Sequence, residues 1–101
     1  MLFQEALGEV IRTERLAQGL TLRDLSKTGF IALGYLSEVE RGTKCPSSEI
    51  IESVANGLGK SAYELIIEAG FVMATDTIPE TPEKIYERTT SWFEQYSDLV
   101  R

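Results

Sequence analysis

Apolar positions recur at helical spacing along most of the chain. Leu2, Phe3, Ala6, Leu7, Val10, Ile11 and Leu16 mark one face of a helix over roughly residues 2–17. Gly19 stands just past its end, where glycine takes the left-handed conformation without strain. Thr21 is a good N-cap for a second helix over residues 22–28, and Asp24 in its first turn suits the helix dipole. Gly29 and Phe30 break that helix. A third is expected over residues 33–41, stopped by Gly42 and followed by a loop over residues 43–46. A fourth opens at Ser47 or Ser48 and carries Ile50, Ile51, Val54, Ala55 and Leu58 until Gly57 and Gly59 end it. Ser61-Ala62-Tyr63-Glu64 has the capping-box pattern and opens a fifth helix through Leu65, Ile66 and Ile67 to Gly70.

Beyond that point the pattern changes. Residues 74–81, rich in Thr and Pro, read as a linker. Thr81-Pro82 then restarts a helix, with Thr at the N-cap and Pro at the first helical position. That helix places Ile85, Thr89, Trp92, Phe93, Tyr96, Leu99 and Val100 on one face. Val, Ile and Thr never alternate with polar residues over a strand length, and no Asn-Gly or Asp-Gly hairpin signal occurs. The expected fold class is all-α. Residues 1–73 form a five-helix domain, residues 74–81 a linker and residues 82–101 an amphipathic helix. An apolar helical face set apart by a linker marks an interaction surface. The commonest solution is a two-fold homodimer, so Ile85, Thr89, Trp92, Phe93, Tyr96 and Leu99 are the expected dimer interface. Phe71, Val72 and Met73 are candidates to join it.

Composition narrows the function. Hydrophobic residues make up 43% of the 101, enough for one compact core. No apolar run reaches the roughly 18–20 residues that span a bilayer. Met1-Leu2-Phe3-Gln4-Glu5 has neither a basic nor an apolar leader region, and the single Cys45 cannot form an internal disulfide. A cytoplasmic protein without membrane contact is expected. The chain has no histidine, which removes the commonest general base and metal ligand. Neither enzymatic activity nor a metal or cofactor is expected. Cys45 lies near Lys44, and a nearby cation lowers a thiol pKa; the plainer expectation is an inert reduced thiol.

The net charge of −6 runs against nucleic-acid binding, whose affinity comes largely from phosphate neutralisation. The charge is unevenly placed, however. Residues 1–45 are neutral, with Arg12, Arg15, Arg23, Lys27, Arg41 and Lys44 against Glu5, Glu9, Glu14, Asp24, Glu38 and Glu40. Residues 46–101 hold ten acidic residues against four basic ones. The expectation is modest non-specific affinity with strong salt dependence.

In the neutral half, two short helices meet across a tight turn between Leu25 and Val39. Leu25 and Leu36 sit where the two helices must pack. Ile31 is the buried residue of the turn, and Val39 faces the same core one turn below Leu36. This spacing lets the second helix of the pair project from the body and lie in a DNA major groove, which is about 12 Å wide.

Leu25-Ser26, Ile31, Leu36-Ser37 and Glu40-Arg41-Gly42, with Arg15 and Gly19-Leu20-Thr21 upstream, resemble the phage-repressor and Cro-like helix-turn-helix (XRE) family over roughly residues 8–67. The stretches Leu22-Arg23-Asp24-Leu25-Ser26 and Gly34-Tyr35-Leu36-Ser37-Glu38-Val39-Glu40-Arg41-Gly42 look most like that family's actinobacterial regulators of Clp protease genes. The resemblance implies a repressor-like five-helix domain followed by a dimerisation helix. It also implies activation of Clp protease and stress genes, with RNA polymerase as a candidate partner. It places Leu33, Gly34, Ser37 and Glu38 toward the groove. Leu33 suits a thymine methyl, Ser37 either base type, and Glu38 a cytosine amino group. Arg23, Lys27, Arg41 and Lys44 are the natural phosphate contacts. Tyr35 either reaches a phosphate or packs on the second helix. Arg15 and Glu40 match a partly buried ion pair joining the first helix to the third. The chain departs from the family at Phe30, where glycine is usual, and at Ala32, where a Ser or Thr N-cap is usual. The expected function is a transcriptional regulator that binds double-stranded palindromic DNA as a homodimer. The alternative is a protein-interaction module, antitoxin-like or scaffold-like, that keeps the same fold.

Overall fold

The computed structural model describes residues 1–77 and 81–100. Six helices follow one another there: α1 (Phe3–Ala17), α2 (Leu22–Thr28), α3 (Leu33–Glu40), α4 (Ser48–Leu58), α5 (Ala62–Thr77) and α6 (Pro82–Val100). No strand occurs among the described residues.

The helix starts are local events. The Leu2 N–H donates to Glu5 Oε1 at 2.8 Å ahead of α1. Thr21 and Asp24 form a reciprocal capping box: the Thr21 N–H donates to Asp24 Oδ2 at 2.8 Å, and the Asp24 N–H donates to Thr21 Oγ1 at 3.0 Å. Ser47 caps α4 by accepting from the Ile50 N–H. Ala32 supplies no side-chain cap to α3.

The ends of α1, α2, α3 and α4 all close with the same pair of reverse hydrogen bonds. After α1, Gly19 N–H bonds Leu16 O and Leu20 N–H bonds Arg15 O. After α2, Phe30 N–H bonds Lys27 O and Ile31 N–H bonds Ser26 O. Gly42 with Thr43, and Gly59 with Lys60, repeat the arrangement. It requires one residue at positive φ. Gly19, Gly42 and Gly59 hold φ of 72°, 76° and 68°. At the fourth site the residue is Phe30, with φ 55° and its ring 95% exposed. Phe30 thus makes the family's usual turn despite its side chain, and the ring does not pack.

The core is one cluster. Ala6, Leu7, Val10 and Ile11 of α1 meet Leu25, Ile31, Leu36 and Val39 of the α2–α3 unit, Ile51, Val54, Ala55 and Leu58 of α4, and Leu65 and Ala69 of α5. Two close approaches set its geometry. A Cβ at Gly8 would lie 2.6 Å from the carbonyl oxygens of both Val39 and Glu40, so α3 runs directly against α1. A Cβ at Gly57 would lie 2.8 Å from Leu25 Cδ1 and 3.0 Å from the Gly29 nitrogen. Gly57 therefore does not end α4; it lies within that helix as the contact point with α2, and Gly59 makes the stop.

The expected linker over residues 74–81 is corrected by the structure. α5 continues past Gly70 to Thr77, so residues 74–77 are helical. Ile78, Pro79 and Glu80 lie outside the described residues. One helical glycine costs only about 1 kcal/mol relative to alanine. The apolar face beyond it still finds partners, because Val72 and Met73 pack on the core. Both are only partly buried there. α6 then folds back on α5, burying Ile85 to 6% exposure. Ile85, expected at the dimer interface, is thus an intramolecular core residue.

Candidate nucleic-acid interface

α2 and α3 meet through Leu25, Ile31, Leu36 and Val39, all buried. Burying Leu36 and Val39 turns the opposite face of α3 outward. Leu33 and Gly34 are exposed there, and Ser37 and Glu38 are half-buried. These are the four residues expected to face the groove, and they share one side of the helix. Nothing lies within 4 Å of a Cβ placed on Gly34, so the helix surface is open at that point. Tyr35 is partly buried and packs against the core. The Thr43 hydroxyl and N–H both donate to Glu38 O, fixing the chain as it leaves α3.

Four exposed cations lie on the neighbouring segments. Arg23 and Lys27 are exposed one turn apart on α2, and Arg41 and Lys44 are exposed after α3. Arg41 Nε donates to Ser37 O at 3.3 Å. Cys45 is exposed and unpaired in the same loop.

Arg15 and Glu40 hold the unit to α1. Arg15 Nε donates to Glu40 Oε2 at 2.7 Å and Nη2 to Oε1 at 3.0 Å, a two-pronged pair. A third donor, Nη1, reaches Leu20 O at 2.9 Å. The side chains are only 12% and 7% exposed. Glu40's hydrogen bonds hold the Arg15 guanidinium above its ordinary pKa, against the opposing effect of burial. Loss of one partner of such a pair strands the other, at about 3–5 kcal/mol. The pair joins α1 to the end of α3.

One cation passed over in the sequence joins this site. Arg12, Arg15, Leu22, Ser37, Glu40 and Arg41 line a notch of about 210 Å³ where α1, α2 and α3 meet. The available signal was its position three residues before Arg15, on the same helical face.

On α6, Trp92, Phe93 and Tyr96 are 54%, 46% and 48% exposed. Trp92 stacks on Tyr96 and meets Phe93 edge-on, with ring centroids 5.1 Å apart in both pairs. The Thr89 hydroxyl donates to Ile85 O. The side chain of Leu99 lies outside the described residues. An apolar cavity of about 330 Å³ opens between α5 and α6, lined in part by Ile67, Phe71, Ala74 and Trp92. No described helix is long and apolar enough to cross a membrane. Among the described residues no cluster of His, Cys, Asp and Glu could hold a metal ion.

Comparison with known proteins agrees with this architecture. The helix-turn-helix family model matches residues 11–65. The chain is 44% identical over 73 residues to the transcriptional regulator ClgR of Mycobacterium tuberculosis, a match that spans 72% of this chain and 65% of that protein. The crystal structure of the clp gene regulator ClgR from Corynebacterium glutamicum superposes with a TM-score of 0.72 at 39% identity, over 91% of this chain and 94% of that one. A restriction-modification controller protein, solved as a tetramer in complex with its natural 35 base-pair operator, gives a TM-score of 0.62 at 25% identity over 68% of this chain and 95% of its own. With its buried α2–α3 hinge, its outward α3 face and a family match over more than half its length, this chain belongs to the helix-turn-helix family of the Cro and phage-repressor (XRE) type.

Proposed function

We propose that this protein is a cytoplasmic, sequence-specific DNA-binding regulator of transcription that reads a palindromic operator as a homodimer. The observation that carries this is the face of α3. Leu33, Gly34, Ser37 and Glu38 lie together on the side away from the buried Leu36 and Val39, flanked by exposed cations on α2 and after α3. In this role Leu33, Ser37 and Glu38 read base edges, Gly34 permits close approach, and Arg23, Lys27, Arg41 and Lys44 meet phosphates.

The aromatic ladder Trp92–Phe93–Tyr96 is the dimer contact in this account, with Thr89 and Leu99 beside it. A two-fold arrangement sets two α3 helices roughly 34 Å apart, one turn of duplex. The likeness to ClgR supports clp genes as targets and an activating direction. Activation needs a surface for RNA polymerase, and the exposed Glu49 and Glu52 of α4 supply candidates. No effector pocket is needed if abundance sets the response.

The test is selection of fragments of the source genome on purified protein. Enrichment of a short palindrome, upstream of Clp protease genes, is the expected result. Failure to enrich any fragment at low salt would replace this account with a protein-interaction module whose contacts lie in the acidic second half.

A further inference from the structure

We propose that the notch between α1, α2 and α3 is the seat of a DNA backbone phosphate, and that Arg12 of α1 is a DNA-contacting residue. The proposal rests on the DNA-binding account above and extends it to a helix that account leaves out.

Three arginines, Arg12, Arg15 and Arg41, and one acidic residue, Glu40, line the notch. Both Glu40 oxygens are taken by Arg15, whose remaining reach goes to Leu20 O. That pair is internally neutral and held by its own hydrogen bonds. Two positive charges remain uncompensated. Arg12 is exposed and has no hydrogen bond or ion pair among the described residues. Arg41 spends only a long Nε contact on Ser37 O, which leaves its terminal nitrogens uncommitted. Guanidinium forks match the geometry of phosphate oxygens, and two of them facing one space favour a single anion between them.

Ser37 decides which anion this is. It lines the notch and also belongs to the outward face of α3, four residues after Leu33. An anion seated beside Ser37 is therefore at the edge of whatever groove α3 enters. That edge is a phosphodiester rail in double-stranded DNA. The one carboxylate that lines the notch, Glu40, is the one already neutralised by Arg15. Arg12 positions the protein on the duplex and carries no sequence information.

The test uses the full chain and the duplex that the wild type binds best, by fluorescence anisotropy across a salt series. Arg12→Gln is expected to weaken binding roughly tenfold, as loss of a charged hydrogen bond does. It should lower the slope of log K against log salt by about 1. The loss should be equal for the operator and for base-substituted versions of it, and Arg12→Lys should restore the slope. The melting temperature should not change, since Arg12 has no structural partner. Unchanged affinity and slope in Arg12→Gln overturn the proposal while leaving DNA binding intact. A loss confined to one base pair assigns Arg12 to base readout and overturns it too, as does a loss accompanied by a lower melting temperature. A wild type that binds no duplex at low salt overturns both this proposal and the account beneath it.

Discussion

At Phe30 the backbone and the side chain conflict. The turn into α3 needs a residue at φ 55°, and a ring that is 95% exposed contributes no burial to offset the strain. Left-handed backbone costs an ordinary residue roughly 1–2 kcal/mol. Glycine at the same place loses roughly 0.5–1 kcal/mol through its freer unfolded chain. Phe30→Gly is therefore expected to raise stability by about 0.5–1 kcal/mol in urea unfolding. A clear loss instead would mean that the ring makes a contact its exposure does not reveal. Asp24 gives a second prediction at this scale. Hydrogen bonds from the Thr21 N–H, then from its hydroxyl, hold the Asp24 carboxyl below the usual aspartate range. A depressed acid contributes stability that is present above its unfolded pKa of about 3.9 and is lost as pH falls through its folded value. Asp24→Asn should flatten the acid limb of a stability–pH curve below about pH 4. An acid limb identical to the wild type would remove Asp24 from the capping account.

Helices are placed by what crosses them. At Gly8 the carbonyls of Val39 and Glu40 would stand 2.6 Å from an added Cβ. Alanine would gain about 1 kcal/mol in helix propensity, whereas overpacking typically costs 1–3 kcal/mol. Backbone atoms have no rotamer to yield, so the cost should win. Gly8→Ala is expected to lower stability by about 1–2 kcal/mol and to shift α3 off α1. Chemical unfolding measures the first effect, and the NMR shifts of Leu33 to Glu38 report the second. A variant as stable as wild type would mean that α3 sits further from α1 than described.

The same contrast explains which elements could be read in advance. The limits of α2 and the start of α4 follow from Thr21, Ser47 and Gly29, whose effects reach only their own turn. Gly57 and Gly70 carry the same local signal as a stop, yet both lie inside helices. One is a crossing point with α2, and the other is outweighed by Val72 and Met73 packing on the core. Ile85 shares its helical face with Trp92, and only the fold-back of α6 on α5 separates their roles. Among the site residues, the Arg15–Glu40 pairing was legible from the family pattern. Arg12 was not, because its surroundings depend on the crossing of helices far apart in sequence.

The whole molecule divides its charge and its contacts. The neutral, locally cationic half carries the α3 face, and the acid-rich half carries the exposed aromatic ladder. If the α3 face meets DNA, it does so from the half that carries no net negative charge, and affinity is expected to fall steeply as salt rises. If the ladder joins two copies, Trp92→Ala should weaken self-association by tenfold or more, as loss of an aromatic hot spot does. It should weaken binding to a palindrome in step. Sedimentation velocity across a concentration series reads the first, and an unchanged dimer would place the interface elsewhere.

The most direct measurement of the central claim is the affinity of the full chain for its selected palindrome against a scrambled duplex, by anisotropy from low to physiological salt. The account predicts a preference of roughly 10³-fold or more at physiological salt, with binding to both duplexes falling as salt rises. Equal affinity for the two sequences, or no binding to either at low salt, would contradict it.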